Sequence, residues 1–600
     1  MAKQKIKIGN AGGYWGDDPS ALERQVRGGK LDYITMDFLA EITMSIMQKQ
    51  QSRDPEAGYA KDFLGMLKPI FAKVLEDGTK IITNAGGINP KACALAIEKL
   101  GKDLGLSPKI TIVYGDDILG ELQELRNKGA ELRNMETGED FGDVADKIEA
   151  ANIYFGAAPV VAALKDNPDI IITGRVTDTG ITMAAMIHEF GWKLDDWNRL
   201  AHGIVAGHIM ECGTQATGGN FTDWEKVPSF DNVGFPIVEV EASGAFTVTK
   251  HKGSGGLVSV DTVREQLFYE MGHPGAYITP DVIADFTTIK LEQGGENQVR
   301  VSGIKGYAPT PLYKVSMAFA DGLKAQGSII ISGPNARAKA EAFAKIFWKR
   351  CDPKEFIETS TEYVGWNACQ RSLVHRDEGN EILLRLGVRS QDEGNIRRFA
   401  KLIPSLILSG PPGVAVLGGV PKAQKVVSYW PALLDKNLVH PKIARLDQGR
   451  FVDEQTIDTT ATGNFVADDH EVTTAKNASE TIDKVLGRQQ EAWATLQSIC
   501  LARSGDKGDM ANIGVMARSE KAYHFLKENL TAQTVKDLFQ ELCKGTVTRY
   551  ELPNMQGFNF LLDEALGGGG TQTLRLDAQG KTFAQALLAQ KMDIPESLRS

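Results

Sequence analysis

From Lys5 to about Gly191, short β-rich runs alternate with stretches of helical periodicity, and each run breaks into small or polar residues. Neighbouring parallel strands need a crossover of a dozen or more residues, usually a helix. This alternation therefore points to an α/β sheet covered on both faces. IKIGN reads as the first strand, followed by a helix through SALERQVRGG, and DYITMDF reads as the second. Gly65 to Asp77 carries apolar residues at helical spacing; KIITN, the third strand, then breaks into AGGINP before a helix from Pro90. KITIVYGD and DIIITGR supply two more strands, so the expected core is a mostly parallel sheet.

Past roughly Phe221 the texture changes. FPIVEVEASGAFTVTKHKGSGG and TIKLEQGGENQVRVSGIKG alternate polar and apolar residues between glycines, as antiparallel or mixed strands do. This is expected to be a mixed α/β second lobe, with a helix at AKAEAFAKIFWKR. Thr, Asp, Asn and Ser dominate residues 451–490, the best candidate for a linker or mobile segment. The last hundred residues pass from the strand-like LQSICLAR through a glycine-rich turn and two helical stretches to the strands VTRYELP and FNFLLDEAL. That suits a compact α+β domain of the split βαβ kind. The expected division is 1–450 for the α/β region, 451–490 for the linker and 491–600 for the α+β domain.

At 600 residues the chain is long enough for two to four domains of roughly 150 residues. Its 67 basic and 77 acidic residues leave a net charge of −10, which argues against nucleic acid or an anionic membrane as the main partner. The six cysteines show no C-x-x-C spacing, and a reducing compartment fits them best. MAKQKIKIGN lacks the apolar run of a secretory signal, and no apolar stretch is long enough to span a bilayer. A cytoplasmic location is expected, with a homo-oligomer as the default for a metabolic enzyme of this size.

Open α/β sheets bind ligands outside their strand C-termini, and three loops stand there: Gly9, Asn10, Ala11, Gly12 and Gly13; Asn84, Ala85, Gly86 and Gly87; Gly174, Arg175, Val176, Thr177 and Asp178. Glycine permits close approach of a ligand, and each following helix adds a positive dipole end, so together the loops suggest a cleft for an anion. Taken singly, each is a tight turn. Arg175 could hold a carboxylate or phosphate bidentately with Asp178 orienting it; equally, the two could form an internal ion pair. None of the loops is a dinucleotide or Walker A motif, so no nicotinamide or ATP requirement is indicated and no cofactor or metal is expected.

GHIMECGTQATGGNF concentrates His208, Glu211, Cys212, Gln215, Thr217 and two glycines after a helix. His208 and Glu211 are three apart, on one helical face, and form a candidate acid/base pair. Cys212 is more readily inert packing than a nucleophile. Near the C-terminus ARSGDKGDMANIG gathers Arg503, Ser504, Asp506, Lys507, Asp509 and Asn512 among glycines, a loop able to complete a pocket, and the run Gly567 to Gly570 could close over it. His273, Tyr277 and Asp281 read singly as ordinary loop residues.

These segments resemble, in order, the acyclic terpene utilisation family of AtuA-like proteins. The resemblance runs through IGNAGGYWGDDPSALERQVRGGKLDYITMDFLAEITM, ITNAGGINP, IITGRVTDTG, HEFGW, GHIMECGTQATGGNF, FPIVEVEASGAFTVTKHKGSGGLVSVDTV and YEMGHPGAYITPDV, from residue 5 to about 450. ARSGDKGDMANIGVMAR resembles the family's ferredoxin-fold domain. The resemblance implies a part in bacterial breakdown of acyclic terpenes such as citronellol and geraniol, and of related branched-chain acids through coenzyme A thioesters. It carries no residue roles.

The leading expectation is an enzyme that acts on a carboxylate or acyl-CoA by acid/base chemistry, of hydratase, lyase or thioester class. Glu211, His208 and Asp506 would move protons. Asn10, Gly12, Gly13, Asn84, Gly86, Gly87, Arg175, Asp178, Gln215, Arg503, Lys507 and Asn512 would bind the substrate. The alternative is a non-catalytic partner or scaffold for a carboxylase or dehydrogenase of the same pathway.

Overall fold

The computed structural model describes residues 3–374, 379–458, 463, 472–479 and 493–599. The strands β1 (Lys5–Asn10), β2 (Tyr33–Met36), β3 (Lys80–Thr83), β4 (Ile110–Tyr114) and β6 (Ile170–Thr173) form where the five β-rich runs stand, and β5 (Ile148–Ile153) is a further strand that the sequence reading did not include. Five of them lie side by side in the order β1, β2, β3, β6, β4, all parallel, with Ile34 opposite Ile81 and Ile112 opposite Ile172.

Successive side chains of a strand point to opposite faces, and both faces are covered. Ile8, Tyr33, Ile82 and Ile171 pack with the helices Ala158–Leu164, Asp178–Phe190 and Trp197–Glu211. Ile34, Ile81, Ile112 and Ile172 pack with Ala21–Gly28, Asp62–Leu67, Phe71–Asp77 and Pro90–Asp103.

The expectation of a mostly parallel sheet needs correction. The complete sheet has eleven strands, and antiparallel strands extend it on both sides. β7 (Ile237–Glu241), β8 (Phe246–Thr249) and the hairpin Lys290–Gly295 with Gln298–Ser302 continue it beyond β1, and Lys442–Asp447 with Arg450–Thr456 continue it beyond β4. The reason is chain economy. The added strands come as three hairpins, β7 with β8, Lys290–Gly295 with Gln298–Ser302, and Lys442–Asp447 with Arg450–Thr456, whose short turns only antiparallel neighbours allow, and all of them follow the alternating segment that they extend.

The second lobe holds a separate antiparallel sheet. Leu312–Ser332, the helix Ala336–Arg350, Glu358–Val364, Glu381–Ser390, the helix Glu393–Ser405 and Val414–Val416 succeed one another as β-α-β-β-α-β. Leu312–Ser332 lies between Glu381–Ser390 and Val414–Val416, the pairing of a split βαβ unit. β5 and Gln424–Asp435 also pair with the long strand, so a segment from between β4 and β6 of the chain joins this lobe's sheet.

The C-terminal domain has the antiparallel order Thr473–Ala475, Val547–Leu552, Gly557–Leu562, Met510–Ala517, Cys500–Lys507. Its core gathers Phe539, Phe558, Phe560 and Phe583. Of the stretch 451–490, the strand through Thr456 belongs to the large sheet and Thr473–Ala475 to the C-terminal one, while residues 459–462, 464–471 and 480–490 lie outside the described residues.

A candidate active site at the domain junction

Because the five central strands run in one direction, the residues that follow them share one edge: Asn10 closes β1, and Asp37, Asn84, Asp116 and Arg175 stand just beyond β2, β3, β4 and β6. All five are buried. Asn84 Nδ2 donates to Asp37 Oδ1, and Asn84 Oδ1 accepts the Phe38 N–H at 2.8 Å. Burial pushes the Asp37 carboxyl up to about 6, against the pull of the nearby Arg175, and the Glu211 charge adds to the rise. Asn10, Asn84, Arg175 and Glu211 thus meet in one region.

Most of these groups spend their hydrogen bonds on one another. Asn10 Oδ1 accepts the Gly12 N–H at 3.0 Å, and the Gly13 N–H donates to Asp17 at 2.9 Å. Arg175 Nη1 donates to the Leu39 carbonyl at 3.0 Å, its guanidinium pairs with Asp178, and its Cζ lies 4.1 Å from the Tyr154 ring centre. The internal ion pair is therefore the arrangement that forms. Gly86 and Gly87 serve close packing: a Cβ at Gly86 would come within 2.5 Å of the Thr173 carbonyl, and one at Gly87 would strike the Met47 sulfur. Gly13 lies flat on the end of the helix Trp197–Glu211, where a Cβ would meet the Glu211 oxygen at 2.8 Å. The Gly9 to Gly13 loop, loop one, thus packs directly against the backbone of Glu211 and Cys212.

His208 and Glu211, one helical turn apart, join at 2.9 Å between Nδ1 and Oε1, and the Tyr277 hydroxyl lies 3.5 Å from the same nitrogen. The His208 side chain is 1 % exposed and that of Glu211 13 %, so Glu211 is the member a ligand can reach and His208 stands behind it. Rings of Tyr277 and Phe286 wall in His208, and its Nε2 is buried without a hydrogen-bond partner among the described residues. Burial, then Glu211 and Glu270, push the Cys212 thiol well above its ordinary range, which leaves it a poor nucleophile.

The C-terminal domain covers this end of the helix. The expected turn ARSGDKGDMANIG is mostly strand: Arg503 to Lys507 pair with Gly514 to Met510, and only Gly508 and Asp509 lie between them. Glycines and charges in a row read as a turn, but here they sit against the large domain, where a Cβ at Gly505 would meet Tyr269 at 2.6 Å.

Lys507 Nζ lies 6.0 Å from the Tyr277 ring centre, Lys581 Nζ donates to the Tyr269 hydroxyl, and both lysines are exposed. Asp506 acts electrostatically on Tyr269. Glu211, Cys212, Glu270 and Tyr277, all part-buried, thus act on one another, with the exposed Lys507 and Lys581 beside them, and this junction is the candidate cleft. Arg503 and Gln215 do come together, with Glu265, and Asn512 bonds to the Phe268 carbonyl at 2.7 Å. These three hold the domains together rather than facing the cleft. Asp509 ties the glycine run by accepting the Gly568 N–H at 2.7 Å.

Sequence reasoning missed Asp37, Glu270, Lys581 and Asn559, and it set Tyr277 aside. Asp37 carried a readable signal, since it directly follows the second strand. The others reach the site only through the packing of one domain on another. A separate cavity of about 450 Å³ borders the rim through Gly12 and Phe38, with Tyr14, Asp17 and Met66 in its lining. No group of three or more metal-ligating side chains occurs among the described residues, and no helix among them is long and apolar enough to cross a membrane.

Comparison with curated proteins and with solved structures returned no match. Two family models do match: "Acyclic terpene utilisation family protein AtuA" over residues 6–445 and "AtuA ferredoxin-like domain" over residues 494–593. The first covers every loop of the parallel rim and the helix that carries His208 and Glu211, and the second covers the strands that close the cleft. The chain belongs to the acyclic terpene utilisation (AtuA) family, with the family's ferredoxin-like domain at its C-terminal end.

Proposed function

We propose that this protein is an enzyme of acyclic terpene or branched-chain acyl breakdown, acting on a carboxylate or acyl-CoA by acid/base chemistry in the junction cleft. One observation carries the reading: a reachable carboxylate, Glu211, is backed at 2.9 Å by the buried His208, beneath a mouth rimmed by Lys507 and Lys581. The lysines suit an anionic head group. Glu211 takes a proton from the substrate, or returns one to it, while His208 orients the carboxylate and shares its charge. Hydration, elimination and thioester chemistry all need such a group.

The test is conversion of a panel of branched acyl-CoA esters and their free acids, followed by mass spectrometry. Wild-type protein converts at least one, and Glu211→Gln loses that conversion while unfolding at the same temperature. No conversion of any panel member, with a carboxylase or dehydrogenase retained on the immobilised protein, would replace the enzyme reading with the scaffold one.

A further inference from the structure

Glu270 has no role in the reading above, yet the molecule goes to some length to hold it. Its backbone is left-handed at φ 51°, a conformation that costs a non-glycine residue and persists only where the surroundings enforce it. The enforcing groups come from the ferredoxin-like domain. The Glu270 N–H donates to Asn512 Oδ1 at 3.0 Å, and Asn512 Nδ2 donates to the Phe268 carbonyl. Asn559 Nδ2 donates to the Met271 and Gly272 carbonyls at 3.0 and 2.8 Å, and the two asparagines are themselves bonded at 3.0 Å. Both are fully or almost fully buried.

Beneath this clamp three glycines of the same sheet make room. A Cβ at Gly505 would meet Glu270 Cγ at 2.9 Å, and one at Gly514 or Gly557 would strike Phe268. Such a floor and clamp fix one short segment of backbone, and the side chain presented at its centre is a carboxylate.

We propose that Glu270 is the second proton-moving group of the cleft, and that Asn512 and Asn559 are the residues that position it. The inference rests on the reading of the cleft as an acid/base site. The groups that face Glu270 are Tyr269 on its own segment, Glu211 and Cys212 at the end of the helix Trp197–Glu211, Tyr277, and Lys507 and Lys581 of the C-terminal domain. Burial, with Glu211 adding to it, raises the Glu270 carboxyl despite both lysines. The division of labour we assign is that Glu270, clamped by the two asparagines, is the donor and Glu211, at the helix end, the acceptor. In a turnover Glu211 takes a proton from one substrate atom and Glu270 gives its own to another. Exchange with water at the mouth then restores both, so no oxidant or other co-reactant is needed.

The experiment combines kinetics with infrared spectroscopy on the full-length protein. On the substrate found with the panel, Glu270→Gln is expected to lower kcat roughly 100-fold or more, the scale of general acid/base catalysis. Asn559→Ala is expected to lower kcat with KM little changed and to displace one limb of the pH–rate profile, which a merely structural role would not do. Glu270→Asp guards against a folding defect in the glutamine variant. If Glu211→Gln is inactive while Glu270→Gln keeps wild-type kcat and profile, the proposal falls and the enzyme reading stands. If no panel member is converted, the carboxyl-stretch spectrum decides: a protonated-carboxyl band near neutral pH that Glu270→Gln removes supports the proposal, and the lack of that band overturns it.

Discussion

The guanidinium of Arg503 lies 2.7 Å from the carboxylate of Glu265, 238 positions away in the chain, and neither side chain is more than 6 % exposed. The pair is the centre of the domain junction. Glu265 also accepts the Thr222 N–H at 3.0 Å, and Arg503 donates to Gln215 and to the Gly219 carbonyl. Burial still raises the Glu265 carboxyl in spite of Arg503, so desolvation outweighs the attraction. Removing the arginine alone would strand a buried charge. Arg503→Ala is expected to lower unfolding stability by about 3–5 kcal/mol, and Arg503→Met with Glu265→Leu to recover most of it. Denaturant unfolding of the three proteins checks this; a harmless single variant would mean that the bridge does not hold the junction.

Arg175→Lys is expected to destabilise the rim by about 2 kcal/mol, because an ammonium cannot reproduce the planar fork that binds Leu39 and Asp178 or its stacking on Tyr154. Thermal unfolding measures the loss. Unchanged stability in the lysine variant would leave Arg175 available as a substrate clamp.

Asp37, Asp116 and Asp281 are buried, and burial raises each from 3.8 to about 6. Over that interval the folded protein binds protons that the unfolded chain has released, so stability falls as pH rises through it. Asp223 works in the opposite sense: bonded to Arg518, it is lowered to about 2, and the stability it contributes is lost as pH falls below its ordinary 3.8. Urea midpoints are therefore expected to be higher at about pH 5 than at about pH 7.5 and to drop again in strong acid. Asp37→Asn should flatten the upper slope. A midpoint that climbs steadily to pH 7.5 contradicts the buried-carboxyl account.

Gly13→Ala is expected to push loop one off the helix end, since the new Cβ would meet the Glu211 oxygen and the Cys212 carbonyl carbon at 2.8 Å. Overpacking of this kind costs about 1–3 kcal/mol. If Glu211 does the proton transfer, kcat falls further than the loss of stability alone accounts for. Equal kcat in a folded Gly13→Ala protein would separate loop one from the chemistry.

Much of the large domain was legible in order. Period-two and helical runs alternate through DIIITGR, and the isoleucines of Ile170–Thr173 are buried on both faces as that pattern requires. The edge position of Asn84 and Arg175 followed from the same argument. What those residues do there was less legible. An amide or guanidinium at a strand end can face a ligand or a neighbour, and the neighbours Asp37 and Leu39 come from the segment that follows another strand, β2. The C-terminal hairpin was misread because Gly505 and Gly514 look like turn residues until Phe268 to Glu270 are laid against them.

The sequence alone determined the strand–helix alternation, the shared rim at the strand ends, the placing of His208 and Glu211 on one helical face, and the family. These depend on side-chain period and on neighbours a few residues apart, which the chain states directly. Only the tertiary structure decided that six antiparallel strands extend the sheet, that Arg503 joins domains instead of binding substrate, and that Glu270 is held by Asn512 and Asn559. Those facts arise from surfaces hundreds of residues apart becoming buried together, where the cost of leaving a polar group unpaired selects the partners.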